Sequence, residues 1–326
     1  FGKIEVSGAG ALVLLQRVAV NDIDRPVGSA VYTQWLDRWG GIVADVTVTR
    51  LAPDRFRVLT GAGYLAADLG WLRSAASDNA GSAGDVEIAD VTERWAVLGL
   101  WGPRARDVLG RATDDAVDDR ALPLRRARGI RIGSAPVLAT RLSYAGELGW
   151  ELTVAPEWAV PAWDRLVAAG ADDGLEPIGY RALESLRLEK GYRYFGAELT
   201  PRETPYEAGL GAFVRLGKGE FIGRSALLEA GAPDTQPRRR LRTVLLGGAE
   251  WLPVYGGEAV RLEGGVVGRL RSAAFGHTVR RTVGTVYLPA EVAEGAPLEV
   301  DVFADRVAGS VAADVLVDPT GARMRG

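Results

Sequence analysis

Gly40-Gly41-Ile42-Val43-Ala44-Asp45-Val46-Thr47-Val48-Thr49-Arg50 is the stretch on which the fold turns. After the Gly-Gly turn signal, apolar residues alternate with period two, which predicts a half-buried β-strand. Ile42, Ala44, Val46 and Val48 share one face; Val43, Asp45, Thr47 and Thr49 share the other. Ala52-Pro53-Asp54 makes a turn and Arg55 to Thr60 alternates again, predicting a β-hairpin with Asp45 near the middle of its first strand. Aspartate is depleted in strand interiors. Its presence fits either a solvated face or a functional carboxylate, and the stretch alone leaves both open.

Outward from the hairpin, Phe1 to Gly8 has a strand-like pattern and Ala9 to Val20 has helical spacing. Val31 to Trp39 leads into the hairpin and sets Tyr32, Trp35 and Trp39 just ahead of Asp45, as core filler or as walls for a flat ligand. Gly63 to Ala76 predicts an amphipathic helix, residues 77–84 a polar loop, and Asp85 to Asp90 and Trp95 to Leu100 two strands. Gly102-Pro103 and Arg104 to Leu109 predict a turn and a short helix. This order suits an α+β fold with antiparallel sheets.

Arg141-Leu142-Ser143-Tyr144-Ala145-Gly146-Glu147-Leu148-Gly149-Trp150-Glu151-Leu152-Thr153-Val154 predicts two strand fragments around a glycine-containing turn. Glu151 lies where a buried strand would place an apolar residue, and a carboxylate there is costly without donors. It is either a surface residue on an edge strand or an acceptor for paired N–H groups of a flat heterocycle. Pro156 to Gly170 predicts a helix with Trp158, Trp163 and Leu166 on one side. Gly179 to Lys190 predicts another, capped by Gly191. Aromatic and glycine-rich loops follow over Tyr192 to Thr200 and Thr204 to Gly211.

Ala230 to Arg240, with Pro233, Pro237 and three arginines, is expected to be a solvated linker between residues 1–229 and a C-terminal unit, 241–320. Short runs at Arg242 to Leu246, Ala259 to Leu262, Val266 to Leu270, Val283 to Leu288, Leu298 to Phe303 and Ser310 to Val315 predict a small all-β barrel or sandwich.

Composition narrows the chemistry. The 326 residues carry a net charge of −3, which gives no electrostatic case for nucleic acid. No apolar run is long enough to span a membrane and none resembles a signal peptide. With no cysteine and one histidine, His277, zinc clusters, thiol nucleophiles and Ser-His-Asp triads are excluded or nearly so. No GxGxxG or GxxxxGK[ST] occurs. Any catalysis must come from carboxylates, tyrosines and a bound cofactor, and no metal site is expected.

Several motifs stand in one order: Gly40 to Val48, Leu100-Trp101-Gly102-Pro103, Tyr144 to Glu151, Ser185-Leu186-Arg187-Leu188-Glu189, and Glu207-Ala208-Gly209-Leu210. Together they resemble the tetrahydrofolate-dependent aminomethyltransferase family, the glycine cleavage T-protein and its relatives, from Phe1 to about Pro319. Glu189 to Thr200 and Glu220 to Arg224 are most similar to the C-terminal folate module of dimethylglycine and sarcosine dehydrogenases and oxidases. Leu183 stands where the stand-alone T-protein has a folate-contacting Arg, and Lys190-Gly191-Tyr192 lacks the Cys of the iron–sulfur-maintenance relatives; both departures favour that branch. The chain opens inside a strand pattern without Met, so a truncation or a longer flavoprotein is expected.

The resemblance implies a three-lobed, antiparallel folate-binding fold with a C-terminal all-β barrel. Asp45 would be the catalytic carboxylate near the folate amines, and Glu151 would hold the pterin's amino-pyrimidine edge. Tyr32, Thr47, Tyr144 and the backbone near Leu152 and Thr153 match pocket positions, and Leu59 on the partner strand adds an apolar wall. The expected activity is transfer of a one-carbon unit, from an N-methyl amine such as dimethylglycine or sarcosine, to tetrahydrofolate, in the cytoplasm. The alternatives are a stand-alone aminomethyltransferase, a folate-dependent demethylase, or a non-enzymatic folate-binding module that docks a flavoprotein. FAD would belong to an upstream flavoprotein domain rather than to these residues.

Overall fold

The computed structural model describes residues 1–78, 85–231 and 235–326. Part of the expected polar loop (79–84) and part of the expected linker (232–234) lie outside the described residues. The first lobe contains β1 (Gly2–Ser7), α1 (Ala11–Val18), β2 (Ala30–Leu36), β3 (Ile42–Ala52), β4 (Arg55–Thr60), α2 (Leu65–Ser77) and β5 (Glu87–Asp90). The strands form an antiparallel sheet in the order β2-β3-β4-β1-β5.

The hairpin is present, with Thr47 opposite Leu59 and Val48 opposite Val58. Its alternation sets the core: Ala44, Val46 and Val48 pack with Ile4, Val6 and Val58 beneath α1 and α2. Each Val or Ile side chain so removed from water contributes about 1.5–3 kcal/mol. The other face is left for Asp45, Thr47 and their row-mates.

The Gly-Gly turn is a tight joint. Gly40 takes φ +87°, a region that favours glycine, and Asp37 Oδ1 accepts the N–H of Trp39 at 2.8 Å and of Gly41 at 2.9 Å. A Cβ on Gly41 would run into the carbonyl oxygen of Pro201. Gly41→Ala is therefore expected to destabilise the chain by about 1–3 kcal/mol, as overpacking does. A urea midpoint equal to wild type would show that the Pro201 loop yields freely.

The second lobe holds β6 (Ala96–Trp101), α3 (Ala105–Ala112), β7 (Ala127–Ile132), β8 (Ala135–Thr140), β9 (Gly149–Val154) and α4 (Pro156–Gly170), with sheet order β6-β9-β8-β7. Trp150, Leu152 and Val154 face a core shared with α3 and α4. Two sequence expectations fail here. The strand before the turn ends at Thr140, so Arg141 to Leu148 is a loop. Gly146 takes φ +76° and Ser143 Oγ accepts the Glu147 N–H at 3.2 Å, which folds the segment on itself. Trp163 is half-exposed, because on the helix it stands roughly 100° from the centre of the face that Trp158, Ala162, Leu166 and Ala169 turn to the core.

The remainder comprises α5 (Tyr180–Glu189), α6 (Arg224–Glu229), β10 (Arg239–Leu246), β11 (Ala259–Leu262), β12 (Gly265–Gly276), β13 (Arg281–Pro289), β14 (Pro297–Val302), β15 (Asp305–Val311) and α7 (Ala322–Arg325). The six strands close a barrel in the order β10-β13-β12-β11-β14-β15, which removes exposed sheet edges. The last strand lies earlier than the expected Ser310 to Val315: Phe303 at φ +53° turns the chain at once, and Val302 pairs with Asp305. The arginine run is solvated linker only at Arg238, which is exposed and precedes the strand. Arg239 and Arg240 already belong to β10; Arg239 Nε pairs with Glu207 at 2.9 Å and its guanidinium lies 5.0 Å from the Tyr287 ring centre.

The Ser185 to Glu189 motif is the joint between α5 and the barrel. Ser185 Oγ donates to the Phe275 carbonyl at 2.7 Å. Arg187 donates to Glu198, Ser272 Oγ and the Tyr192 carbonyl at 2.8, 2.8 and 2.9 Å. Glu189 Oε1 accepts the Thr278 and Val279 N–H groups at 2.7 and 3.0 Å. No helix among the described residues is long and apolar enough to cross a membrane.

Candidate active site

Strand register places the first part of the site. Gln34 lies opposite Asp45, and one row along Tyr32, Thr47, Leu59 and Lys3 line up across β2, β3, β4 and β1. All are on the face turned away from the core, since their strand neighbours Ala44, Val46, Val58 and Ile4 fill it.

Gln34 Nε2 donates to Asp45 Oδ1 at 3.0 Å, and the Tyr32 phenol reaches the same carboxylate. Burial pushes the Asp45 carboxyl up to about 6, against the pull of the bonds from Gln34 and Tyr32. Burial, then the Asp45 charge, pushes the Tyr32 hydroxyl well above its ordinary value. The Tyr32 ring is fixed edge-on to Phe213, with centres 4.9 Å apart.

The second sheet supplies Glu151, paired in register with Gly99 and Thr140 on the face opposite Trp150 and Leu152. Burial pushes its carboxyl up to about 7. Among the described residues no hydrogen bond or ion pair holds that carboxylate, an expensive arrangement for a buried acid. Two residues on, Thr153 lines an inter-sheet cleft of about 530 Å³ with Glu5, Arg57 and Leu138, so the non-core faces of the two sheets look toward one another.

Tyr144 enters from the Arg141 to Leu148 loop. Its hydroxyl donates to the Arg193 carbonyl at 2.8 Å and its ring stacks on Tyr192, centres 5.9 Å apart. Burial raises its phenol, and the Asp45 charge adds to the shift. Tyr192 in turn donates to Met324 Sδ at 2.9 Å, so the C-terminal segment braces the stack.

Asp45, Tyr32, Thr47 and Leu59 therefore share one face, Glu151 and Thr153 lie on the facing sheet, and Tyr144 reaches in from a loop. The Leu152 side chain is fully buried in the second core, so only its backbone is on offer. Trp35 is buried in the first core and Trp39 is 69% exposed; neither walls the site. Gln34 is the residue that sequence reasoning missed. Its signal was the i, i+2 relation to Tyr32, visible only once β2 is recognised as a strand paired with β3.

The raised carboxyls have a consequence for stability. Asp45 at about 6, Asp68 (buried beside Thr60 Oγ1) at about 6 and Glu151 at about 7 keep protons in the folded state that an unfolded chain releases near pH 4. The folded state then binds more protons between those limits, so their contribution to stability falls as pH rises from about 4 to 7. The ligand-free chain should melt at a lower temperature at pH 8 than at pH 6, and Asp45→Asn should flatten that slope. A slope unchanged by Asp45→Asn in calorimetric scans would deny Asp45 its share.

Two family models meet this geometry. Residues 1–218 match the model described as "GCVT N-terminal domain" and residues 239–318 the "Glycine cleavage T-protein C-terminal barrel domain". The chain belongs to the glycine cleavage T-protein family. Within the family, it is 36% identical over 327 residues to 4-methylaminobutanoate oxidase (formaldehyde-forming) of Paenarthrobacter nicotinovorans, covering all of this chain and 39% of that protein. It is 33% identical over 329 residues to mitochondrial dimethylglycine dehydrogenase of Rattus norvegicus, covering all of this chain and 38% of that protein. An aminomethyltransferase of Chlorobaculum parvum is 32% identical over 303 residues, 92% of this chain and 80% of its own. The crystal structure of the glycine cleavage system aminomethyltransferase T from Bartonella henselae superposes with TM-score 0.84 at 27% identity, covering 98% of this chain and 84% of that one. The chain thus spans less than two-fifths of the oxidase and the dehydrogenase.

Proposed function

We propose that these residues bind tetrahydrofolate and transfer to it a one-carbon unit, delivered as an iminium or as formaldehyde from an N-methyl amine, giving 5,10-methylenetetrahydrofolate. The observation that carries this reading is the buried Glu151 carboxylate, which lacks a donor on a face turned toward the sheet of Asp45. An acid in that position fits the amino-pyrimidine edge of a pterin, whose adjacent N–H groups match two carboxylate oxygens. The unpartnered Gln34 Oε1 beside Asp45 fits the same kind of ligand, one rich in N–H donors.

Tetrahydrofolate, when bound, supplies the nucleophilic secondary amine. Glu151 orients its flat edge, Leu59 and Tyr32 exclude water from the reacting side, and Tyr144 with the Leu152 and Thr153 backbone closes the pocket. Asp45 takes up the proton that the amine loses, and its fixed charge opposes the positive charge that builds on the one-carbon bridge. A carboxyl held at about 6 is mostly ionised at neutral pH yet basic enough for that task. Relatives named as a dimethylglycine dehydrogenase and a formaldehyde-forming methylamino-acid oxidase support oxidation of an N-methyl amine as the source of the one-carbon unit, and an FAD domain outside these residues is the oxidant in this reading.

Glu151→Gln should weaken tetrahydrofolate binding by about 1–3 kcal/mol, because one acceptor becomes a donor facing donors. For the reaction itself, the test is methylenetetrahydrofolate formation from an iminium donor, corrected for the spontaneous condensation. A corrected rate of zero at saturating tetrahydrofolate would remove the catalytic reading.

A further inference from the structure

The Gln34–Asp45 pair carries one unsatisfied group. Gln34 is completely buried, and among the described residues its Oε1 has no hydrogen-bond partner. Its orientation is not arbitrary. Asp45 Oδ1 is 3.0 Å from the Gln34 amide nitrogen, and an ionised carboxylate only accepts, so the NH₂ end must face it. The Tyr32 phenol also faces this pair and acts on the Asp45 carboxyl. Buried acceptors are seldom left empty without a reason.

We propose that Gln34 is a positioning and ligand-contacting residue, fixing the Asp45 carboxylate through its amide N–H and presenting Oε1 to the N–H of the amine that Asp45 serves. This rests on the reading under Proposed function, and it assigns the orientation of the amine to a side chain distinct from the base. The division has a chemical logic. A carboxylate alone accepts the amine N–H along several directions, whereas a carboxylate plus a fixed amide oxygen defines one. The titratable groups that face Asp45 are Tyr32 on β2 and Tyr144 from the loop before β9, both phenols that stay protonated at neutral pH.

Gln34→Met keeps the length of the side chain and removes donor and acceptor together. In the ligand-free chain, infrared titration of the Asp45 carboxyl, identified by its loss in Asp45→Asn, should show the midpoint of Gln34→Met displaced to higher pH. Calorimetry should show tetrahydrofolate binding weakened roughly three- to tenfold. The acid limb of kcat/KM should move up with the infrared midpoint, a change that loss of packing alone does not produce. Gln34→Glu, read in the same way, covers the case in which the Met variant does not fold; a like charge beside Asp45 should displace the midpoint further. An unchanged Asp45 midpoint with unchanged affinity would overturn the assignment and leave Gln34 as a packing residue. A wild-type chain that fails to bind tetrahydrofolate would instead overturn the functional reading and the ligand contact with it, while the infrared shift alone still decides whether Gln34 positions Asp45.

Discussion

Asp45→Asn is expected to bind tetrahydrofolate nearly as tightly as wild type and to form methylenetetrahydrofolate roughly 10²–10³-fold more slowly. The substitution keeps the shape of the side chain and its place opposite Gln34, but removes the charge and nearly all the basicity. An interaction made chiefly in the transition state shows as a loss in kcat with affinity retained. Equal losses in affinity and rate would make Asp45 a binding residue. A full rate after correction for the spontaneous reaction would leave it as a strand aspartate held by Gln34 and Tyr32 without a catalytic task.

Arg187→Met should cost about 3–5 kcal/mol of stability, enough to threaten folding at physiological temperature. The Arg187 and Glu198 side chains are both fully buried and 2.8 Å apart. Removing the cation strands Glu198, whose carboxyl burial would raise but which Arg187, Thr285 and Ser272 hold below its ordinary value. It also cuts the links from α5 to Ser272 and to the Tyr192 carbonyl. Replacing Glu198 by Met as well should recover much of the loss, since an apolar pair of similar volume avoids the stranded charge. If denaturant midpoints show the double variant no better than the single one, the joint depends on the wider network rather than on this pair.

How much of this was readable in advance follows the physics of each element. The β3–β4 hairpin was legible because a sheet with one buried face imposes period two, and Ala44, Val46 and Val48 report that face directly. Helix α4 was legible from end to end, Pro156 to Gly170, because its punctuation is local. The Arg141 loop was not: its conformation is held by distant groups, with Arg141 Nη2 donating to the Met324 and Arg325 carbonyls at 3.1 and 2.7 Å. Arg239 likewise found its partners Glu203 and Glu207 through the fold, a pairing no spacing announces.

The site divides along the same line. Asp45 and Glu151 were conspicuous as acids where strands prefer apolar residues; Glu151 is buried and Asp45 half-buried. Thr47 and Leu59 followed from the hairpin. Gln34 and the Tyr144–Tyr192 stack stayed hidden, since each depends on register or on a loop brought from elsewhere. Several motifs that carried the family resemblance turn out to be architecture: Ser185 to Glu189 joins α5 to the barrel, and Glu207 anchors Arg239. Such residues hold helix, loop and barrel together.

The central claim is that the space between the two sheets holds tetrahydrofolate. Titration calorimetry of the wild-type chain with tetrahydrofolate, under reducing conditions, tests it most directly. The prediction is a single saturable site of micromolar affinity, with a rise in melting temperature matching about 2.7 kcal/mol at a free ligand concentration one hundred times Kd. Absence of saturable heat, together with an unmoved melting temperature, would contradict it.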